Sequence, residues 1–203
     1  MAAAALALYC VHLVLTFGVR IGLQVRRTGS TGVHGVAPGA GRLEWLAGGL
    51  FIAGLVVGGS APAATLLGIV EPIAALDGTL GHVVGTVLAV AGIVLTFGAQ
   101  LAMGNAWRIG VDPDERPGLV TDGPFGLVRN PIYSALIPTV LGLVLMVPNV
   151  LALLAIGMLV TGLELQVRRV EEPFLLRTYG DAYADYATRV GRFVPGVGLL
   201  HGA

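Results

Sequence analysis

Lysine is absent from this 203-residue chain; all 12 basic residues are arginines, set against 12 acidic ones. Only 12% of residues are charged, about half the fraction usual in a soluble domain. The balanced charge and the lack of a basic tract give no reason to expect a nucleic-acid partner. A single cysteine, Cys10, excludes an intramolecular disulfide and any multi-cysteine metal site. The four histidines, His12, His34, His82 and His201, are scattered, without the clustering a metal site needs. No strand followed by G-x-G-x-x-G occurs, so a Rossmann fold is not expected. The opening "MAAAALALYC" lacks the basic n-region of a secretory signal, and bulky Tyr9 stands where a lipoprotein cleavage site needs a small residue.

What is abundant is apolar. Hydrophobic residues make up 55% of the chain, the mean hydropathy is +0.84, and the 31 glycines are dispersed through the apolar runs rather than gathered in a linker. These features describe an all-α integral membrane protein. Five segments approach the ~20 residues needed to cross a bilayer: Ala4–Leu23, Leu43–Ser60, Thr79–Met103, Ile132–Val147 and Asn149–Gln166. Only "VPN" separates the last two, which predicts a tight helical hairpin. The shorter run "TLLGIVEPIAAL", broken by Glu71-Pro72, reads as an interfacial segment. Small-residue pairs at Gly18/Gly22, Gly54/Gly58 and Gly81/Gly85 predict close helix approach. Such faces serve contacts within and between chains equally, so they specify no oligomeric state.

The arginines are distributed unevenly. Arg20, Arg26, Arg27 and Arg42 flank the first connection, Arg108, Arg116 and Arg129 the third, and Arg168, Arg169, Arg177, Arg189 and Arg192 follow the last span. The second connection holds only Glu71 and Asp77, and the fourth holds no charge. With five spans, the positive-inside rule puts the N-terminus outside and the C-terminus in the cytoplasm. The expected location is a bacterial inner (plasma) membrane.

One stretch on the expected cytoplasmic side, "GPFGLVRNPIYSAL" from Gly123 to Leu136, puts Arg129, Asn130 and Pro131 at the mouth of an apolar run. Asn-Pro starts a helix well: Asn caps free backbone N–H groups, and Pro suits the first turn. That leaves Arg129 and Tyr133 without a role. A second polar stretch runs from Glu164 to Pro195 and carries Glu171-Glu172. The hairpin returns the chain to the same face, so Arg129-Asn130 and Glu171-Glu172 are expected to meet. A cation, two carboxylates, an amide and aromatic edges beside a bilayer suit a zwitterionic ligand. The plainer alternatives are that Glu171-Glu172 begin a solvated helix favoured by its dipole, and that Arg168-Arg169 mark the interface. Tyr179, Tyr183 and Tyr186 share a helical face, which suits a helix lying on the membrane or packed on the bundle and is compatible with the lid of a cofactor site.

In order and spacing, "LVTDGPFGLVRNPIY", the hairpin, and "EEPFLLRTYGDAYADYATRVGRFVP" together resemble the isoprenylcysteine carboxyl methyltransferases and their phospholipid methyltransferase relatives. The resemblance implies S-adenosylmethionine as cofactor and a lipophilic or lipid acceptor entering from the membrane. It divides the chain into N-terminal membrane helices, 1–104, and a cofactor-binding core, 105–203. By position, Leu119, Val120, Gly123 and Phe125 would enclose the cofactor, and Asn130, Pro131 and Tyr133 would shape its site. Glu171, with Glu172 beside it, would bind the α-amino group, and Arg129 would sit close to the reacting groups. Asn130 replaces the family's histidine, and Val167 stands where the isoprenylcysteine enzymes have a substrate-binding arginine, with Arg168 one position later. If the acceptor is a carboxylate, Arg129 or Arg168 would hold it; if an amine or hydroxyl, Glu172 or Tyr133 would take its proton. Two rival readings are an NADPH-dependent sterol-type reductase, which shares features of this region, and a non-enzymatic membrane protein. A transport route would be favoured by polar residues inside the spans, but His12, His82, Thr96, Gln100 and Glu164 read as few and isolated.

Overall fold

The computed structural model describes residues 1–35, 40–110 and 118–200; Arg116 and His201, named above, lie outside them. The first span is one continuous helix from Ala2 to Thr28. It consists of α1 (Ala2–Leu13), a wide π-helical turn (Val14–Val19) and α2 (Arg20–Thr28), ended by Gly29 in the left-handed region at φ 77°. Helix α3 covers Arg42–Leu66 and α4 Thr79–Ala102. Helix α5 covers Pro131–Met146 and α6 Val150–Leu165. A second π turn, Gln166–Glu171, carries α6 without a break into α7 (Glu172–Tyr179), and α8 (Asp181–Arg189) follows a sharp bend at Gly180.

Among the described residues, four helices are long and apolar enough to cross a membrane: Ala2–Thr28, Arg42–Leu66, Thr79–Ala102 and Val150–Tyr179. The expected fourth span forms a helix of only 16 residues, Pro131–Met146, about 24 Å at the α-helical rise and short of a ~30 Å hydrocarbon core. The last helix is longer than expected, because nothing in "LQVRRVEEPF" stops it. Glu171-Glu172 therefore sit inside a continuous helix and are not its solvated N-terminus.

The connections gather at two ends of the bundle. Val33–Gly35 of the first connection pairs in parallel with Ile109–Gly110 of the third, and the Ile109 N–H donates to the Gly32 carbonyl at 2.8 Å. At the other end the second connection docks on the hairpin turn, with the Ile73 N–H donating to the Pro148 carbonyl at 2.7 Å. The "EPIAAL" part of the broken apolar run is turns rather than a span. Asn149 fastens this end. Its buried side chain accepts from the Ala152 N–H at 2.9 Å, capping α6, and donates to the Ala61 carbonyl and the Thr65 hydroxyl, both at 2.9 Å.

Despite being joined by three residues, α5 packs mainly on α4 and α6 on α3. Outward-facing Val56, Leu80, Val87 and Val94 are each more than half exposed, as suits a lipid-facing surface. Apolar burial gives no driving force between helices in lipid, so tight backbone approach has to hold the pairs together. A Cβ on Gly85 would lie 2.6 Å from the Gly142 carbonyl oxygen, and one on Gly54 would lie 2.6 Å from the Leu159 side chain. Gly18 and Gly22 differ from their expected role: neither meets anything within 4 Å. Gly85→Ala is accordingly expected to destabilise the protein by about 1–3 kcal/mol through overpacking. Gly22→Ala should instead be neutral or stabilising by up to ~1 kcal/mol through helix propensity. Thermal unfolding of both variants in detergent checks the contrast.

Candidate functional site

The C-terminal tail is bound to the start of α5 as an extended strip. Val128 bridges Gly191 in parallel. The Arg129 N–H donates to the Gly191 carbonyl at 2.7 Å, and the Asn130 N–H to the Arg192 carbonyl at 3.1 Å. The Ser134 hydroxyl donates to the Phe193 carbonyl at 2.8 Å. Asn130 occupies the N-cap position of α5 but makes no capping bond with its side chain; its amide donates to the Arg192 carbonyl at 3.2 Å. Pro131 does sit in the first turn. The asparagine expected to cap the helix thus ties the helix start to the tail.

Under this strip lies a buried charge cluster. The Arg129 guanidinium donates to Glu172 Oε1 at 2.6 Å, to the Ala187 carbonyl at 3.0 Å, to the Gly198 carbonyl at 2.9 Å and to the Val190 carbonyl. Arg192 grips the same carboxylate with two bonds of 2.8 Å, one to each oxygen. The carboxylate in turn holds the Arg192 guanidinium above its ordinary pKa. Arg129 and Glu172 are 6% and 5% exposed, so their charges are neutralised mainly by each other and by Arg192. Glu172 is not among the residues lining the cavity described next.

That cavity, of about 490 Å³, runs between the spans and the tail. Its tail end is lined by Arg108, Leu119, Val120, Phe125, Arg129, Asn130, Pro131, Tyr133 and Glu171, with Tyr179, Tyr183 and Tyr186 above them. Most of the residues expected around a cofactor are therefore brought to one wall. Gly123 is exposed and not on that wall; at φ 59° it supplies a turn that positions Phe125. The Glu171 carboxylate accepts from the Tyr133 hydroxyl at 2.7 Å and from the Gln166 amide at 3.4 Å.

The three tyrosines line the cavity although Gly180 interrupts their helix. Tyr183 and Tyr186 pack edge to face, 6.0 Å between centroids, and the Tyr186 hydroxyl donates to the Phe125 carbonyl at 2.6 Å. Burial pushes the Tyr186 hydroxyl up to about 12. Burial and then the nearby Glu172 charge push Tyr183 up as well. Both rings therefore stay neutral through the physiological range.

Arg168 is not brought to the site. Its side chain is 54% exposed, pairs with Glu164 one turn back, and is absent from the cavity wall. Val167 takes the inward position and is fully buried. Adjacent side chains of a helix project in different directions, so Arg168 faces outward where Val167 faces into the bundle.

The spans contribute more to this cavity than their hydropathy suggests. His12, Thr16, Arg20 and Gln24 are each 3% exposed or less and recur every fourth residue along the first helix. Across from them, the Gln100 amide donates to the Thr16 carbonyl at 3.1 Å. Arg20 donates to the Gln100 and Gly104 carbonyls at 3.3 and 2.5 Å and to Gln24 Oε1 at 3.0 Å, and lies 4.5 Å from the Trp107 ring centroid. Arg20, counted above among the arginines flanking the first connection, is a buried clasp that holds Trp107 on the cavity wall. The i, i+4 spacing of polar residues in an apolar run was the available sequence signal.

Four buried side-chain atoms lack a hydrogen-bond partner among the described residues: His12 Nδ1, Thr96 Oγ1, Gln100 Oε1 and Arg129 Nε. All four residues line this one cavity. Unpaired polar atoms are costly to bury and concentrate where something else is meant to meet them.

Replacing Glu172 by Gln would leave two buried guanidinium groups without a counter-charge. Breaking a buried ion pair on one side costs about 3–5 kcal/mol. Glu172→Gln is expected to loosen the tail strip, read as faster proteolysis and hydrogen exchange over residues 190–200 than in the parent protein.

Residues 80–182 match the family model described as phospholipid methyltransferase. A curated relative, protein-S-isoprenylcysteine O-methyltransferase A of Arabidopsis thaliana, is 29% identical over 113 residues, covering 55% of this chain and 57% of that protein. The structure of a eukaryotic intramembrane Ras methyltransferase, the isoprenylcysteine carboxyl methyltransferase, superposes over 88% of this chain and 61% of that one, with a TM-score of 0.54 and 20% identity. The matches span less than two thirds of the length of either relative; the second of them shows shared fold. The family-model match covers more than half of the chain and shows the family: this chain belongs to the phospholipid methyltransferase family.

Proposed function

We propose that the protein is an S-adenosylmethionine-dependent methyltransferase acting on a lipophilic acceptor that enters laterally from the bilayer. The observation carrying this reading is the cavity itself: one space joins a charged end beneath the tail to an uncharged, largely apolar end between spanning helices. The residues present fit the methyl donor. The Glu171 carboxylate, oriented by Tyr133, suits an α-ammonium, and the unpartnered Arg129 Nε suits a carboxylate. Phe125, Tyr183 and Tyr186 offer flat apolar surface for an aromatic base. On this reading the tail end faces the cytoplasm, as the arginine distribution favours.

S-adenosylmethionine, when bound, supplies an electrophilic sulfonium methyl, so the protein's task is chiefly to position the acceptor. The tail covers the polar end and excludes water. Glu172, with both oxygens on guanidinium groups, is a poor base and serves to position Arg129 and the tail. For an amine or hydroxyl acceptor, Tyr133 is then the remaining group of the two considered: its hydroxyl, which donates to Glu171, would take the acceptor's proton while passing its own to that carboxylate.

Calorimetric titration of the purified protein with S-adenosylmethionine, its demethylated product and NADPH tests the proposal directly. Micromolar binding of the first two is expected; binding of NADPH alone would instead support a reductase. Glu171→Gln should weaken S-adenosylmethionine binding by roughly thirtyfold or more, the scale of losing a buried charge partner. Arg168→Ala should leave binding and turnover within about twofold, as for an exposed ion pair. Tyr133→Phe should lower turnover on an amine or hydroxyl acceptor by about 100-fold or more while the donor's binding changes far less.

A further inference from the structure

The membrane arm of the cavity contains a polar cluster that the methyl-transfer reading leaves unused. His12, Thr96 and Gln100 are 3%, 2% and 5% exposed. Each lines the cavity, and each has a side-chain atom without a partner among the described residues. They come from two facing helices. The bond from Gln100 to the Thr16 carbonyl sets those two residues level, and the i, i+4 spacing then sets His12 level with Thr96, one turn farther from the tail. The π turn at Val14–Val19 widens the first helix beside them, a distortion often found at functional sites.

The donor and acceptor pattern narrows the ligand. The Gln100 nitrogen already donates to Thr16, so the free Oε1 must accept, and flipping the amide would set oxygen against oxygen. A group that only accepts, such as an ether, ester or ketone, cannot satisfy it. The Thr96 hydroxyl and a neutral His12 ring each donate or accept. The charged lining residues, Arg108, Arg129 and Glu171, lie at the tail end, beyond α4 or at the turns beside α5 and α7. Arg20, bonded to the Gln100 carbonyl, is the nearby cation, but it does not line the cavity and its nitrogens are engaged by Gln100, Gln24 and Gly104, so the wall at this cluster offers no ion to a phosphate, carboxylate or ammonium. The complementary group is neutral and donates a hydrogen bond, and in a bilayer-facing space its natural carrier is a lipid hydroxyl.

We propose that His12, Thr96 and Gln100 form a recognition site for a hydroxyl-bearing lipid, a long-chain alcohol or phenol, in the membrane arm of the cavity. This goes beyond the methyltransferase reading by naming the class of lipid that the arm admits, and the site's existence does not depend on that reading. A purely hydrocarbon chain in the arm would leave the three polar atoms unsatisfied, whereas a hydroxyl meets Gln100 as donor and Thr96 or His12 as acceptor.

The test uses the full-length protein in nanodiscs of phosphatidylcholine, a lipid without a hydroxyl. Binding of a C15 prenyl alcohol is compared with that of its methyl ether, in the parent protein and in Thr96→Val and Gln100→Met. The alcohol is expected to bind at least about tenfold more tightly than the ether, since a site built to hydrogen-bond a hydroxyl rejects the analogue lacking it. In both variants that preference should fall to within about twofold, with S-adenosylmethionine binding unchanged as the sign of an intact fold. Equal binding of alcohol and ether by the parent protein would overturn the proposal, because water would then serve those atoms. A preference that survives in the near-isosteric Thr96→Val, with Gln100→Met also unaffected, would overturn it too. Loss of the methyl donor's binding in the parent protein would instead remove the enzyme reading, and the alcohol preference would still decide whether the lipid site exists.

Discussion

The Glu172 carboxylate, gripped by Arg129 and Arg192, is the contact through which the rest of the site is organised. Arg129 lies just before α5, Glu172 begins α7, and Arg192 belongs to the tail, so one buried anion joins three separate segments of the chain. The Arg129 guanidinium also reaches three carbonyls of the α8 end and tail. Desolvating these charges is expensive, and the expense is offset only because nearly every donor and acceptor is matched. The covered polar end of the cavity follows from that match.

Two π turns give the bundle its working geometry. The one at Gln166–Glu171 lets adjacent glutamates do different things: Glu171 meets Tyr133 at the cavity wall, and Glu172 meets the arginines behind it. The same turn sends Val167 inward and Arg168 out. The one at Val14–Val19 lies where Thr16 and Phe17 line the cavity. In each case a locally widened helix changes which side chains face inward without breaking the span.

The cavity draws its wall from both halves of the chain, so the N-terminal helices are part of the site rather than a scaffold beside it. Arg20 holds Trp107 over the space, and His12, Thr96 and Gln100 bring hydrogen-bonding capacity to its membrane arm. Substitutions in the first and third spans are therefore expected to change what the membrane arm admits.

Much was legible in the sequence because hydropathy and charge are local properties. Apolar run length located the membrane helices, though not the shortness of the fourth or the extension of the last; "VPN" located the hairpin, and the arginine distribution the pairing of connections at two ends of the bundle. The convergence of Arg129-Asn130 on Glu171-Glu172 followed from the hairpin alone. Motif order marked Leu119, Val120, Phe125, Tyr133 and Glu171, all of which line the cavity. What only the tertiary structure decided depends on which face of a helix meets which neighbour. Glu172 and Arg129 neutralise each other, Arg168 points away, and Asn130 binds the tail instead of capping its helix. Gly22 packs against nothing while Gly85 is indispensable to its contact. The polar residues of the spans read as isolated because they are far apart along the chain, His12 from Thr96 above all. Helix packing sets them level, and a one-dimensional pattern carries the period of a single helix but not the register between two.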